Sequence, residues 1–335
     1  MREMPGLRSV LKRSAVITAA CWPVVLIQFV SESVFKILLA VPVLAGAFLA
    51  SILIGRSAGD LASGDLREAA TAVAASLLGR PVALAAFIVA LLVVVLGGSA
   101  LMFLIKGGTV VVLLVAESSA NWLEPSGVMH VFRSAMQFSV ARFTSGAERL
   151  ARRFLALGTM LIVAYTLVGG VYVAVVLGGY AYAGGRALVL GWTVVAAICS
   201  GILVVAITLV NLFYLLIQIV MAVEDRGIVA SARQVLRFLH ADIRDVAGVF
   251  LIVVCLVVVA MAASLFTTAA IGFIAFVPIA ALIVLPAQAG AWLLRSLVFQ
   301  YLGLTALTSY ATFFRAYASL VGQADPTATT SRPPP

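Results

Sequence analysis

Residues 82–117 read VALAAFIVALLVVVLGGSALMFLIKGGTVVVLLVAE, and Lys106 is the only charge between Arg80 and Glu117. The uncharged run Val82 to Ile105 is long enough, at about 1.5 Å per residue, to cross a hydrocarbon core of about 30 Å. With no water there to satisfy peptide groups, such a run must be helical. Counting from Pro81, which suits a first helical turn, Lys106 lies about 37 Å along the axis and therefore beyond the oily core. The expectation is that Lys106 marks the inner headgroup level. Gly107-Gly108 would then bend the chain, and GGTVVVLLVA would run along or dip back into the membrane. A span from Leu92 to Ala116 would instead hold the lysine deeper.

The rest of the chain has the same character. Of its 335 residues 64% are hydrophobic and 10% charged, whereas soluble domains carry roughly a quarter charged residues. The expected fold is an all-α polytopic membrane protein with about six transmembrane helices and additional interfacial amphipathic helices. The spanning runs are Ile37 to Gly55, Val82 to Ile105, Leu155 to Gly179, part of Leu188 to Val223, Val246 to Ile271, and one or two crossings between Phe273 and Phe314. Arg295, Pro278 and Pro286 interrupt the last region. One helical membrane domain is expected over 1–321, with a polar, proline-rich disordered tail over 322–335.

Lysine and arginine collect in cytoplasmic loops. With the amino terminus inside, the inner segments hold Arg2, Arg8, Lys12, Arg13 and Lys36; Arg133, Arg142, Arg149, Arg152 and Arg153; Arg226, Arg233, Arg237 and Arg244; and Arg295, Arg315 and Arg332. Outer loops hold Arg56, Arg67, Arg80 and Arg186, which is 17 against 4 with Lys106 remaining. The expected orientation places both termini in the cytoplasm. The net charge of +9 is accounted for by anionic lipid of the inner leaflet and calls for no nucleic acid.

Ser14 to Val30 is an uncharged run behind Lys12 and Arg13. Signal peptide and seventh span are alternatives, but Trp22-Pro23 suits an interfacial bend, so 7–30 is read as an interfacial or half-inserted segment. A second interfacial helix is expected over 66–79, where Leu66, Ala69, Ala70, Val73, Ala74, Leu77 and Leu78 make one apolar stripe. A third is expected over 128–154, basic and amphipathic, with Gly146 dividing it. A fourth is expected over 226–244, where Arg226, Arg233, Arg237 and Arg244 fall within about 40° of one another and Ile228, Val235, Leu239 and Val246 cluster opposite. These four arginines, with Arg142, Arg149, Arg152 and Arg153, are the candidate lipid- or partner-facing residues.

Residues 219–253, IVMAVEDRGIVASARQVLRFLHADIRDVAGVFLIV, set a hydrophobic helix, an acidic-glycine corner, an amphipathic helix and another span in succession. Through Val223, Glu224, Gly227, Ala230, Ser231 and Phe238 the stretch resembles uncharacterised prokaryotic multi-pass membrane families. Among them is the membrane domain joined to some glycerophosphoryl diester phosphodiesterases. The resemblance covers about residues 200 to 260. It implies a helical membrane module acting on or beside lipids. No phosphodiesterase domain accompanies it, so none of that catalysis carries over.

Signs of chemistry are sparse. His130 and His240 lie in separate loops without a second ligand at metal spacing. Gly97-Gly98-Ser99-Ala100 lacks an intramembrane histidine that could activate a serine, and no GxxxxGK[ST] phosphate loop occurs. Cys21, Cys199 and Cys255 lie in separate apolar segments and read as packing residues. The chain is therefore read as non-enzymatic and without cofactor or metal. Repeated glycine pairs, Gly107-Gly108 among them, suit close helix packing. The candidate intramembrane polar residues are Lys106, Asn211, Gln218 and Arg295. Their convergence would favour a transporter or channel component, whereas inner-face arginines against headgroups favour a lipid- or protein-binding module.

Overall fold

The computed structural model describes residues 6–54, 79, 81–120, 128–136, 138–183, 189–274 and 281–324. Among these, eight helices follow one another and no strand occurs: α1 Leu7–Ala20, α2 Trp22–Ile54, α3 Pro81–Ser119, α4 Val128–Ala135, α5 Val140–Ala183, α6 Val189–Glu224, α7 Ile228–Ile274 and α8 Ala281–Ala324. Six are long and apolar enough to cross a membrane, over Trp22–Pro42, Leu84–Ser119, Val140–Tyr182, Gly191–Glu224, Ile228–Phe273 and Pro286–Leu320. The chain is an all-α, multi-pass membrane protein. Its contacts divide it into a unit of residues 1–26 with 106–335 and a unit of residues 27–105. In the smaller unit Glu32 pairs with Lys36 at 2.6 Å, and the ring of Phe35 lies against Gly98.

In the larger unit the long helices are each divided into two kinds of surface. No residue is buried over 159–182 of α5, 191–213 of α6, 250–273 of α7 or 286–303 of α8. These stretches are about 27–36 Å long, the thickness of a bilayer core, and their exposed large side chains are mainly Val, Leu, Ile and Phe. The remaining ends pack together. Leu150, Phe154 and Leu157 of α5, Tyr214 to Met221 of α6, Val235, Phe238 and Val249 of α7, and Leu304 to Phe314 of α8 form a buried body with Val110 to Ala116 of α3. Phe238 meets Phe314 edge-on at 5.6 Å between ring centroids and Tyr317 at 5.4 Å.

Several boundaries differ from those read in the sequence. The first apolar segment is not one interfacial element over 7–30: α1 stops at Ala20, Cys21 makes the turn, and 22–30 open the long helix α2. α1 is packed into the body through Val10, Ser14, Ile17, Thr18 and Ala20. Tyr301 Oη of α8 donates to Ala15 O at 2.9 Å, and Cys21 Sγ donates to Ala135 O at 3.5 Å. The basic segment over 128–154 divides between Ala135 and Val140, not at Gly146. The segment over 226–244 begins its helix at Ile228 and continues into the span through a backbone break at Asp242 (φ −126°, ψ 37°). Residues 281–324 form one helix that runs through Pro286 and Arg295. The expected helix over 66–79, the corner at Pro278 and the tail from 325 lie outside the described residues.

The bend expected at Gly107-Gly108 is absent, and α3 continues unbroken to Ser119. The two glycines instead let α5 approach. A Cβ on Gly107 would meet Ala147 Cα and Leu150 Cβ at an ordinary 3.5 Å. A Cβ on Gly108 would meet the Phe143 carbonyl oxygen at 2.7 Å and its ring at 2.8 Å. Across the same contact Gly146 accepts Val111, which would stand 2.8 Å from a Cβ there.

The two adjacent glycines should therefore separate on substitution. Gly107→Ala gains helix propensity of up to about 1 kcal/mol and is expected to be neutral or stabilising. Gly108→Ala forces α5 back and should destabilise by about 1–3 kcal/mol, read as thermal unfolding in mild detergent. Equal behaviour of the two variants would contradict this packing.

Candidate functional site

The corner between α6 and α7 is built around Asp225, whose φ of 54° places it in the left-handed region, where an aspartate is tolerated better than most residues. Arg153 of α5 donates to Asp225 Oδ1 at 2.5 Å and holds the corner against α5. Arg226 is exposed and pairs with Glu224 at 3.1 Å. The Ser231 amide then donates to Gly227 O at 2.9 Å, closing the first turn of α7.

From there α7 has two unlike sides. Ser231, Val235, Phe238, Val246 and Val249 are buried in the body, whereas Arg233, Arg237 and Arg244 are exposed. Part of the apolar edge read in the sequence, Val235 and Val246, is thus core, and Ile228 and Leu239 are half-buried beside it. A second apolar row went unread. Val229, Leu236 and Ile243 are 64%, 56% and 61% exposed. Before the break at Asp242, Val229 and Leu236, seven residues apart, line up roughly 70° round the helix from Arg233 and Arg237. The sequence carried that spacing, but two apolar rows on one helix cannot be assigned to core and surface until the neighbours are known. On α5, Arg149 and Arg152 are exposed, and Arg142 and Arg153 are half-buried.

Two of the four candidate intramembrane polar residues, Lys106 and Asn211, have aromatic partners, and both pairs involve α6. Lys106 Nζ of α3 lies 5.2 Å from the centre of the Tyr214 ring on α6, a cation–π contact. One turn away Tyr165 Oη of α5 donates to Asn211 Oδ1. Asn211, Tyr214 and Gln218 recur at three and four residues and so share one side of α6. Gln218 is buried, and its Nε2 has no hydrogen-bond partner among the described residues. Arg295 is half-buried in the lipid-facing stretch of α8 and makes no hydrogen bond or ion pair with the described residues.

A charge cluster unforeseen in the sequence lies deeper. Glu117, at the end of α3, is 3% exposed. Arg315 Nη1 of α8 donates to its Oε2, and Thr312 Oγ1 donates to Oε1 at 3.4 Å. Arg13 of α1 feels the same carboxylate: burial lowers its pKa from the ordinary value, and the Glu117 charge opposes that shift. The guanidinium stays charged at any physiological pH. One acid thus joins residues from α1, α3 and α8. Glu117 is separated from Arg315 by 198 positions, too far for local spacing to reveal the pair.

Among the described residues no three His, Cys, Asp or Glu side chains gather into a metal site. The chain matches no protein-family model, and no curated protein or solved structure is similar to it.

Two outcomes follow from these surroundings. Glu117→Ala leaves two arginines facing a buried void and should cost about 3–5 kcal/mol, measured as a fall in the unfolding midpoint. Adding Arg315→Met should restore part of it. Burial also pushes the Cys21 thiol up from 9.0 to about 11. The unfolded thiol then ionises first, so this group's contribution to stability is present below pH 9 and lost as pH rises towards 11. In a Cys199→Ser, Cys255→Ser background, Cys21 should resist alkylation at pH 8 until denaturant is added.

Proposed function

We propose that this chain is a non-catalytic module of the cytoplasmic membrane that binds anionic inner-leaflet lipid, or a protein partner, through its basic helix ends. In this reading the buried body lies at the inner face and both termini are cytoplasmic, in keeping with the lysine and arginine distribution. The observation that carries it is the outer side of α7. Exposed Arg233 and Arg237 run beside exposed Val229 and Leu236, and Ile243 and Arg244 beyond the break at Asp242 are exposed as well. Guanidinium groups suit lipid phosphates, and an apolar row beside them suits the acyl boundary just below.

A second reading, a transporter or channel component for a small solute or lipid, draws on the polar side of α6. There Lys106 of α3 meets Tyr214, and Tyr165 of α5 bonds Asn211. These are two separate pairs, each satisfied by its own partner, which suits packing as well as a pathway. A planar-bilayer conductance abolished by Asn211→Leu would favour this alternative.

The first reading is tested on the full chain. With Arg226, Arg233, Arg237 and Arg244 all changed to Gln, protein extracted in mild detergent should retain less anionic relative to neutral phospholipid. A basic residue near the membrane surface is worth about 1 kcal/mol, or roughly fivefold. An unchanged ratio would remove the lipid-surface reading.

A further inference from the structure

The elbow between α1 and α2 leaves an apolar groove of about 460 Å³ against α8, walled by Ala19, Trp22, Leu26, Leu297, Val298 and Tyr301. This volume lies within the range of about 300–1,000 Å³ typical of small-molecule sites. The groove sits where α8 passes from its lipid-facing stretch, ending at Gly303, into the body, beginning at Leu304. Trp22 at its rim is 55% exposed, as suits a tryptophan at a membrane–water boundary. Tyr301 closes the other side and is fixed by its hydrogen bond to Ala15 O.

The same stripe of α1 changes character towards its amino terminus. Lys12 lies two turns before Ala19 on one side of the helix, about 10 Å away, and Arg8 one turn further. Both are exposed, and neither pairs with an acid among the described residues. An apolar slot with an unneutralised cationic end matches one class of occupant. We propose that the groove holds an acyl chain of an anionic phospholipid whose phosphate lies at Lys12 and Arg8.

Hydrophobic burial alone gives no preference here, because the bilayer is as apolar as the groove. Selection must come from the charged end, and this fixes the test. The chain has four tryptophans; a protein keeping only Trp22, with Trp122, Trp192 and Trp292 changed to Phe, is reconstituted in phosphatidylcholine vesicles. Trp22 fluorescence is then titrated with acyl-brominated phosphatidylglycerol or with acyl-brominated phosphatidylcholine. The anionic lipid should quench at roughly fivefold lower mole fraction. That difference should vanish with Lys12→Glu and Arg8→Glu, and Ala19→Phe, which fills the groove, should weaken quenching by both lipids. A companion protein keeping only Trp192 should follow bulk mole fraction throughout and reports intact insertion. If charge reversal disturbs it, Lys12→Gln with Arg8→Gln replaces that variant.

Equal quenching by the two lipids, a preference that survives the loss of both charges, or shielding of Trp22 from both by a second copy seated in the groove would each overturn the assignment. The site is separate from α7: changing Arg233, Arg237 and Arg244 should leave Trp22 quenching as it was, whichever way the lipid-surface reading falls.

Discussion

A helix of 36 to 44 residues is about 54–66 Å long, roughly twice what a bilayer core can cover. Everything else in the larger unit answers that mismatch. The surplus length must find cover in protein or water, and the ends of α5, α6, α7 and α8 find it in each other. The result is a helical body in which hydrophobic burial, close glycine contacts and aromatic edges operate as in a soluble domain. The other ends present apolar surface suited to lipid, and no side chain is buried over 159–182, 191–213, 250–273 and 286–303.

Cover of that kind admits charge that lipid would not. Glu117 is tolerable because Arg315, Thr312 and Arg13 surround it; alone in hydrocarbon it would be strongly disfavoured. Lys106 likewise finds a protein partner, half-buried against the Tyr214 ring. A buried ion pair gives little net stability against an apolar replacement of the same shape, yet removing one partner is costly. Its effect is to fix which helices meet and in what register.

The class of the protein was legible from composition, and the number of crossings from the spacing of charges. Helix type followed from the bilayer's demand that peptide groups bond internally, and no tertiary information was needed for it. The errors fell where a residue's meaning depends on a neighbour. Gly107-Gly108 reads equally as a hinge or as a place for another backbone, and the choice rests on Phe143 and Ala147, about forty positions later. Val229 and Val235 on α7 look alike in sequence, and only the packing of α8 makes one surface and the other core. Lys106, Asn211 and Gln218 stood out because charge and amides are rare in such runs; Glu117 did not, since it closes an apolar run as a boundary residue would.

The hydrogen bond from Tyr301 to Ala15 spans 286 positions of sequence. During synthesis α1 emerges first and its partner surface on α8 emerges last. α1 meets α4 on the way, through Cys21 and Ala135, but the side of α1 that packs on α8 lacks its cover until the last helix is made. A contact so distant in sequence is of the kind that forms late in folding.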